Sequence, residues 1–286
     1  MPSTRDIRRR IKSVKNTAQI TKAMQMVAAS KMRKAQQLAI AGHPYMLLLN
    51  RMLVSLHGKV NPTAHPLLEE REVKKELVLV VSTDKGLCGG LNTNLFREIA
   101  KYDPAKTEFV SIGRKGKQFI ARTKRNLLAD FELADRPSFL EVKSVSKFLV
   151  EKFLNKEVDK VTILFSRFVN TLTQEPRAAT LLPLAALPVN KEFEEQQKDD
   201  GAQFVFEPDE ETVLDQLLPY YIHYGAYQAV LDARASEHSA RMVAMKNATD
   251  NAKGLVKDLT LEYNKVRQAA ITSELLEITT AQMALG

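Results

Sequence analysis

The last third of the chain has the apolar spacing of one long helix. Residues 220–286 contain no proline and only three glycines. Charged residues, Glu237 among them, occupy the faces beside a narrow apolar stripe. One helix of this length would span on the order of 100 Å, far more than a small domain. The pattern therefore predicts a coiled-coil seam. The stripe is formed by Ile222, Ala226, Ala229, Ala233, Leu255, Leu259, Val266 and Ala270.

The beginning of the chain predicts a partner for that helix. Residues 3–41 contain neither glycine nor proline, and their apolar residues also recur at helical spacing. Two terminal helices that each bury only a stripe can bury it against each other, and an antiparallel pairing would require the middle of the chain to lie at one end of the rod. The N-terminal stripe is formed by Ile7, Ile11, Val14, Ala18, Met24, Ala28, Met32, Ala35 and Leu38.

The middle of the chain has a different pattern. Apolar β-branched runs at 76–82, 108–112 and 160–169 predict buried strands, and helices are expected at 93–101, 115–124 and 138–155. Strands that alternate with helices indicate an α/β domain with a largely parallel sheet. Residues 177–189, with two prolines, are expected to form an edge strand that leaves the sheet. Residues 192–201 are predicted to be a solvated loop and 203–206 a short strand.

These patterns predict four regions. They are a coiled-coil helix at 1–58, a connector at 59–74, an α/β globular domain at 75–207 and a second coiled-coil helix at 208–286. The composition, with 44% hydrophobic and 27% charged residues, is typical of a soluble protein. No apolar run reaches the ~18 residues of a membrane span. The start is too charged for a secretory signal, and it runs into the helix without an evident cleavage site.

Positive charge is concentrated at the N-terminus. Up to residue 36 the sequence has ten lysines and arginines against Asp6 alone, a larger surplus than the net +8 of the whole chain. This indicates an acidic partner, which could be nucleic acid, an anionic membrane surface or acidic protein loops, although a solvated face is the simpler interpretation. No aromatic residue lies between the basic ones, which excludes base stacking on this segment. Contact with duplex phosphates stays possible.

Few residues are candidates for chemistry. The glycine-rich turn at 86–90 follows a strand and precedes a helix, where a phosphate can bind, but it matches neither common phosphate-binding motif. The turn at 113–117 also lacks them, so a turn shaped for protein contact is favoured over a nucleotide site. The single Cys88 cannot form an internal disulfide, and nothing in the sequence indicates a catalytic centre. The five histidines lack metal-ligand spacing; they are His43, His57, His65, His223 and His238.

The stretches at 5–36, 82–92, 204–209 and 235–252 resemble the gamma subunit family of the rotary F-type ATP synthase, in its bacterial form. Residues 5–36 (RDIRRRIKSVKNTAQITKAMQMVAASKMRKAQ) resemble the family's first helix, and 235–252 (ASEHSARMVAMKNATDNA) its last helix. Residues 82–92 (STDKGLCGGLN) are similar to its glycine-rich loop, and 204–209 (FVFEPD) to the segment that enters the last helix. The matches lie in family order and extend almost from end to end.

The resemblance implies a long antiparallel coiled coil of the terminal helices with a central Rossmann-like α/β domain. It implies a central-stalk rotor that couples proton-driven rotation of a membrane ring to ATP synthesis or hydrolysis. The expected partners of one copy are three alpha and three beta subunits, the epsilon subunit and the membrane c-ring. Mg-ATP or ADP would be bound by partner subunits, with no cofactor in this chain. The expected location is peripheral, on the cytoplasmic side of the bacterial inner membrane. The alternative is a basic coiled-coil protein that binds nucleic acid.

The resemblance also implies contact residues. The family's beta-subunit contacts correspond here to Arg9, Lys12, Lys22, Met24, Lys85, Gly86, Gly89, Gly90, Arg241, Gln268, Thr272 and Glu274. Its contacts with epsilon and the membrane ring correspond to Phe204 and Glu207. Two features depart from the family. Thr279 and Thr280 replace small residues near the end, so the tip is expected to pack differently, and Cys88 has no partner for thiol regulation.

Overall fold

The computed structural model describes residues 3–57, 65–184, 206–207 and 209–285. Two long helices lie at the ends, α1 (Thr4–His57) and α5 (Glu210–Leu285), and both continue through an internal proline. The chain divides into two compact units. Unit 1 comprises Met1–Ala28 and Arg241–Gly286, and unit 2 comprises Ala29–Ala240. The expected loop at 192–201 and residues 203–205 of the expected strand at 203–206 lie outside the described residues, and Phe206 does not lie in a strand.

Unit 1 is an antiparallel helix pair, as the sequence predicted. Arg8 of α1 donates a 2.6 Å hydrogen bond to the Tyr263 hydroxyl, and Thr21 shares one of 2.7 Å with Thr249. The residue numbers of the contacting partners decrease along α5 as they increase along α1, so the two helices are antiparallel. Seven buried or half-buried residues of α1 follow one another at intervals of four and three residues in turn. This is the 3.5-residue period of a left-handed coiled coil. The seven residues are Ile7, Ile11, Val14, Ala18, Thr21, Gln25 and Ala28.

The facing seam of α5 differs in part from the predicted stripe. Leu259 is buried and Val266 half-buried, as expected, but Leu255 is 41% exposed and Ala270 is also exposed. The seam contains Val256 instead of Leu255, because a step of four from residue 252 keeps the 3.5-residue period. From residue 267 to 283 every residue is exposed within this chain. The last seam residue, Val266, lies just beyond Tyr263, which contacts the first turns of α1.

Unit 2 is built on a five-stranded sheet. The strands are β1 (Glu76–Val81), β2 (Thr107–Ile112), β3 (Asn126–Phe131), β4 (Lys160–Phe168) and β5 (Gln174–Leu182). Their order is β3-β2-β1-β4-β5, with β5 alone antiparallel. The helices between them are α2 (Leu91–Ala100), α3 (Arg114–Arg122) and α4 (Phe139–Leu154). The order reverses between β1 and β4, which makes this a doubly wound α/β sheet.

The sequence missed one strand and correctly placed another at the edge. Strand β3 was not predicted, because its residues alternate between exposed and half-buried and form no apolar run. Strand β5 forms the opposite edge of the sheet, as predicted, and it is antiparallel to β4. It contains Pro176, and a missing backbone donor is tolerated on an edge strand. It ends at Leu182, and Pro183 follows it. The remainder of the predicted segment, 185–189, lies outside the described residues.

The two faces of the sheet pack differently. Alternate residues of β1, such as Val78 and Val80, face α2 and α3 in a small core. The opposite face, with Leu77 and Leu79, packs against α4 and against the parts of α1 and α5 in unit 2. The prediction of a narrow stripe is wrong for this part of α5, because no residue from 221 to 240 is exposed. The sheet, α4 and α1 pack against this segment and leave its residues buried or half-buried.

A buried hydrogen bond between α4 and α5 gives this packing a pH dependence. The His223 ring and the Ser146 hydroxyl are 2.7 Å apart, and both residues are buried. Burial, with the nearby Lys143 charge, lowers the pKa of His223 below its ordinary value. The unfolded chain therefore binds a proton more readily than the folded chain.

We expect unit 2 to lose stability as the pH falls below about 6.5, the ordinary histidine pKa, because protonation then favours the unfolded chain. The measurement is urea unfolding, followed by circular dichroism, at pH 8 and pH 5.5. His223→Gln, which cannot take up this proton, should show a smaller loss between the two pH values. An equal loss in wild type and variant would contradict the assignment to His223.

Candidate functional site: the carboxyl edge of the sheet

The turn after β1 lies where α/β proteins commonly bind ligands, at the carboxyl edge beside the point of order reversal. Its conformation is fixed by its own side chains. The Thr83 hydroxyl donates to the Lys85 carbonyl at 2.8 Å and accepts from the Asn92 amide at 2.8 Å. Asn92 also lies 3.4 Å from the sulfur of the buried Cys88. Gly89 adopts a positive φ of 60°, a conformation that glycine reaches without steric cost because it has no Cβ.

The second glycine-rich turn, before α3, has its backbone donors already in use. The Arg114 N–H donates to Asp84 Oδ1 at 3.1 Å, the Lys115 N–H to the Thr83 carbonyl at 3.0 Å, and the Gly116 N–H to Ser82 Oγ at 2.8 Å. These are the first-turn donors with which a helix start binds a phosphate. Because this chain's own oxygens accept them, a phosphate at this helix start would have to displace those contacts.

A small crevice lies between the carboxyl ends of β1 and β4. Thr83, Asn92 and Ser166 line it, and Arg234 and Glu237 of α5 close it. The interior holds about one water molecule, far too little for a nucleotide. The sequence pattern indicated a possible ligand position here, and helix α5 occupies the space that a ligand would need.

A buried arginine organises the charges beside this crevice. Arg234 is only 4% exposed, and its guanidinium donates to Glu237 at 3.0 Å, to Asp84 at 3.5 Å and to the Leu133 carbonyl at 3.4 Å. Asp84 in turn caps α3 through the Arg114 N–H. The two carboxylates compensate a charge that would otherwise be costly to bury. One side chain thus ties α5 to the β1–α2 turn and to the β3–α4 loop.

A second acidic residue of the β3–α4 loop contacts both long helices. Asp135 lies 2.7 Å from Lys31 of α1 and 3.4 Å from the buried His238 of α5. Partial burial alone would raise the pKa of Asp135. The Lys31 hydrogen bond and the positive potential of His238, Lys31 and Arg234 outweigh that effect, so its pKa is lowered. The carboxylate is therefore ionised at neutral pH.

The contact residues implied by the resemblance fall in both units. In unit 1, Arg9, Lys12 and Lys22 are exposed on α1, and Met24 is half-buried. On α5, Arg241 is half-buried, whereas three residues of the last turns are exposed along the unpaired end of the helix, namely Gln268, Thr272 and Glu274.

In unit 2, the expected contacts lie on the turn after β1. Lys85, Gly89 and Gly90 are exposed and Gly86 is half-buried. Glu207 is exposed, and Phe204 lies outside the described residues. No cluster of three metal-ligating side chains occurs among the described residues. In the same part of the chain, no helix combines the length and apolarity needed to cross a membrane.

Sequence reasoning missed the charge cluster around Arg234. Glu237 was expected on a solvated face of a coiled-coil helix, but it is 5% exposed. The helical period alone cannot show that a third element covers this face. The one available signal is composition, because small residues surround the two charges in the segment 233–239 (ARASEHS) and allow close approach by neighbouring elements.

Comparisons with known proteins agree with this architecture. A family model described as ATP synthase matches residues 3–285. The ATP synthase gamma chain of Methylacidiphilum infernorum is 54% identical, with all of both chains covered. That of Opitutus terrae is 55% identical over 99% of both chains. Among solved structures, a chain of the Euglena gracilis mitochondrial ATP synthase has a TM-score of 0.69 at 20% identity and covers 99% of this chain and 94% of its own. A chain from the Tetrahymena thermophila central stalk has a TM-score of 0.64 at 24% identity, and the match covers 80% of this chain and 99% of that one.

At these identities the two solved structures show the fold alone, which is a doubly wound α/β domain in a chain with two long terminal helices. The sequence identity of 54% and 55% to the two bacterial gamma chains, over nearly the whole length of each, identifies the family. The chain belongs to the ATP synthase gamma-chain family.

Substitution of Gly113 tests the closed geometry of the carboxyl edge. Its φ of 96° and the proximity of the Ser82 carbonyl leave no room for a Cβ, so Gly113→Ala should destabilise the chain by about 3 kcal/mol or more. Urea unfolding measures this loss. Gly86→Ala is the matched control, because nothing lies within 4 Å of its added carbon, and it should change stability by no more than about 0.5 kcal/mol. Equal stability of the two variants would contradict this account.

Proposed function

We propose that this chain acts as the turning shaft of an F-type ATP synthase and leaves all nucleotide chemistry to its partners. The observation that carries the proposal is the closed carboxyl edge. The position where a doubly wound domain would bind a nucleotide is filled by Arg234, Glu237 and the capping oxygens of Ser82 and Asp84. What this domain offers instead is a rigid attachment to two long helices.

A single shaft can act on several catalytic sites because it is asymmetric. Inside a ring of three alpha and three beta subunits, one helix pair presents a different face to each catalytic site. Each face biases the conformational equilibrium of its neighbour differently, and rotation exchanges these biases. In synthesis, a proton-driven membrane ring turns the shaft, and in hydrolysis the shaft turns backwards. Mg-ATP and Mg-ADP bind to the partners.

The surroundings that we propose follow from this role. One copy of the chain contacts the alpha, beta and epsilon subunits and the membrane c-ring, at the cytoplasmic side of a bacterial inner membrane. The full-length similarity to bacterial gamma chains supports this location. The similar solved structures come from a central stalk with a c-ring and from an assembly of F1 and a c-ring, which supports these partners.

We also propose residues for these contacts. Basic side chains exposed on α1 suit acidic loops of beta, and these are Arg9, Lys12 and Lys22, with Met24 beside them. Further beta contacts are proposed at Lys85, Gly86, Gly89, Gly90, Arg241, Gln268, Thr272 and Glu274. Glu207 and Phe204 are proposed to meet epsilon and the ring.

Reconstitution tests the function. Purified alpha and beta subunits from the same source are assayed for Mg-ATP hydrolysis with and without this chain, and the mixture is analysed by size exclusion. We expect a complex of three alpha, three beta and one copy of this chain, with sustained hydrolysis that depends on it. If competent partners neither bind the chain nor respond to it, the rotor function is wrong. Salt-dependent binding of duplex DNA by the chain alone would then favour the nucleic-acid alternative.

Substitution of Met24 tests the beta contact on α1. Met24→Lys adds a positive charge beside acidic loops, which would bind the shaft too tightly and resist rotation. The expected result is a fall of about twofold or more in protons pumped per ATP hydrolysed in vesicles. Met24→Leu keeps the volume and apolarity and should behave like wild type. An unchanged ratio in the lysine variant would remove Met24 from the contact without affecting the fold.

A further inference from the structure

Six ionisable side chains of unit 2 form two neighbouring groups, one around Asp135 and one around Arg234, which together we call the Asp135 cluster. It joins α1 and α5 to the β1–α2 turn and the β3–α4 loop of the sheet domain. None of its members belongs to the partner contacts proposed above. The cluster consists of Lys31, Asp84, Asp135, Arg234, Glu237 and His238.

The cluster restrains α1 far from the apolar core. The buried residues of α1 that belong to the core around the sheet begin at Leu49, and the buried Met32 and Ala39 lie outside that core. Lys31 lies about 27 Å from Leu49 towards the N-terminus of the helix, at about 1.5 Å per residue. A contact at this distance from the core has a long lever arm against bending or twisting of the helices relative to the sheet.

The chemistry of the contact also suits this purpose. Apolar packing is non-directional and allows neighbouring surfaces to slide, whereas hydrogen-bonded ion pairs have preferred distances and angles. Asp135 engages Lys31 of α1 through one carboxylate oxygen and His238 of α5 through the other. Its loop is held a second time, because the buried Arg234 donates to the Leu133 carbonyl. One loop therefore fixes both helices at the same level.

We propose that Asp135 is a positioning residue for torque transmission, which fixes the angle of α1 and α5 against the sheet domain. The proposal rests on the rotor function. When the shaft turns under load, force passes between the sheet domain and the two helices. A joint that gives way elastically would allow ATP to be hydrolysed without a full step of proton transport.

The test uses the assembled complex in vesicles and compares Asp135→Asn with Asp135→Glu, which keeps the charge. The readout is protons pumped per ATP hydrolysed against a proton gradient. We expect this ratio to fall about two- to fivefold for the asparagine variant and to be largely kept by the glutamate variant. Hydrolysis by the detached soluble complex, which carries no load, should be unchanged in both.

Asp130→Asn is the matched control. Asp130 pairs with Lys117 at 2.8 Å, with similar exposure, but this pair joins α3 to β3 and touches neither long helix. The control should pump like wild type.

Lys31→Met provides a second variant at an exposed helix position, and it should lower the ratio less than Asp135→Asn, because the His238 contact remains. Lys31→Arg should restore the ratio.

The outcomes separate the two proposals. If the wild-type chain supports no proton pumping with competent partners, the rotor function itself fails. If the wild type pumps and Asp135→Asn pumps equally well under load, the positioning role is overturned. It is also overturned if Asp130→Asn lowers the ratio of protons pumped per ATP as much as Asp135→Asn does. Removal of any ion pair in the domain would then have the same effect.

Discussion

In unit 1 each terminal helix carries only a narrow apolar stripe, which the other helix buries, and this pairing constrains both ends of the chain. In unit 1, steps of four and three residues on α1 from Ile7 to Ala28 keep the stripe facing α5. Small and hydroxyl-bearing residues in the seam, such as Ala18 and Thr21, allow close approach and add the Thr21–Thr249 hydrogen bond. The pair is therefore held by many small contacts instead of a large core.

In unit 2 the same helices serve a different purpose. Helix α5 from residue 221 to 240 has no exposed residue and completes the core of the sheet domain. Its passage across the carboxyl edge brings Arg234 and Glu237 into the crevice between β1 and β4. The position at which doubly wound folds commonly bind nucleotides is thus occupied here by a helix of the chain itself. The same side chains fill the ligand position and fasten the helix.

The distribution of charge follows this division. Exposed lysines and arginines on the first turns of α1 leave a positive surface available to acidic partners. Charges within unit 2 are instead paired across elements, as in the contacts of Arg234 with Asp84 and of Asp135 with Lys31. Under the proposed function, the first arrangement suits contacts that form and break during rotation, and the second suits contacts that persist.

The sequence by itself determined the two long helices, their antiparallel pairing, the buried strands β1, β2 and β4 and the family. These features depend on local periodicity and on long motifs, which a single chain displays directly. Only the tertiary structure decided that β3 joins the sheet as an edge strand, that Leu255 leaves the seam, and that Glu237 is buried. Each of these outcomes depends on which third element covers a given face. A periodic pattern states which side of a helix or strand is apolar, but not how many neighbours surround it.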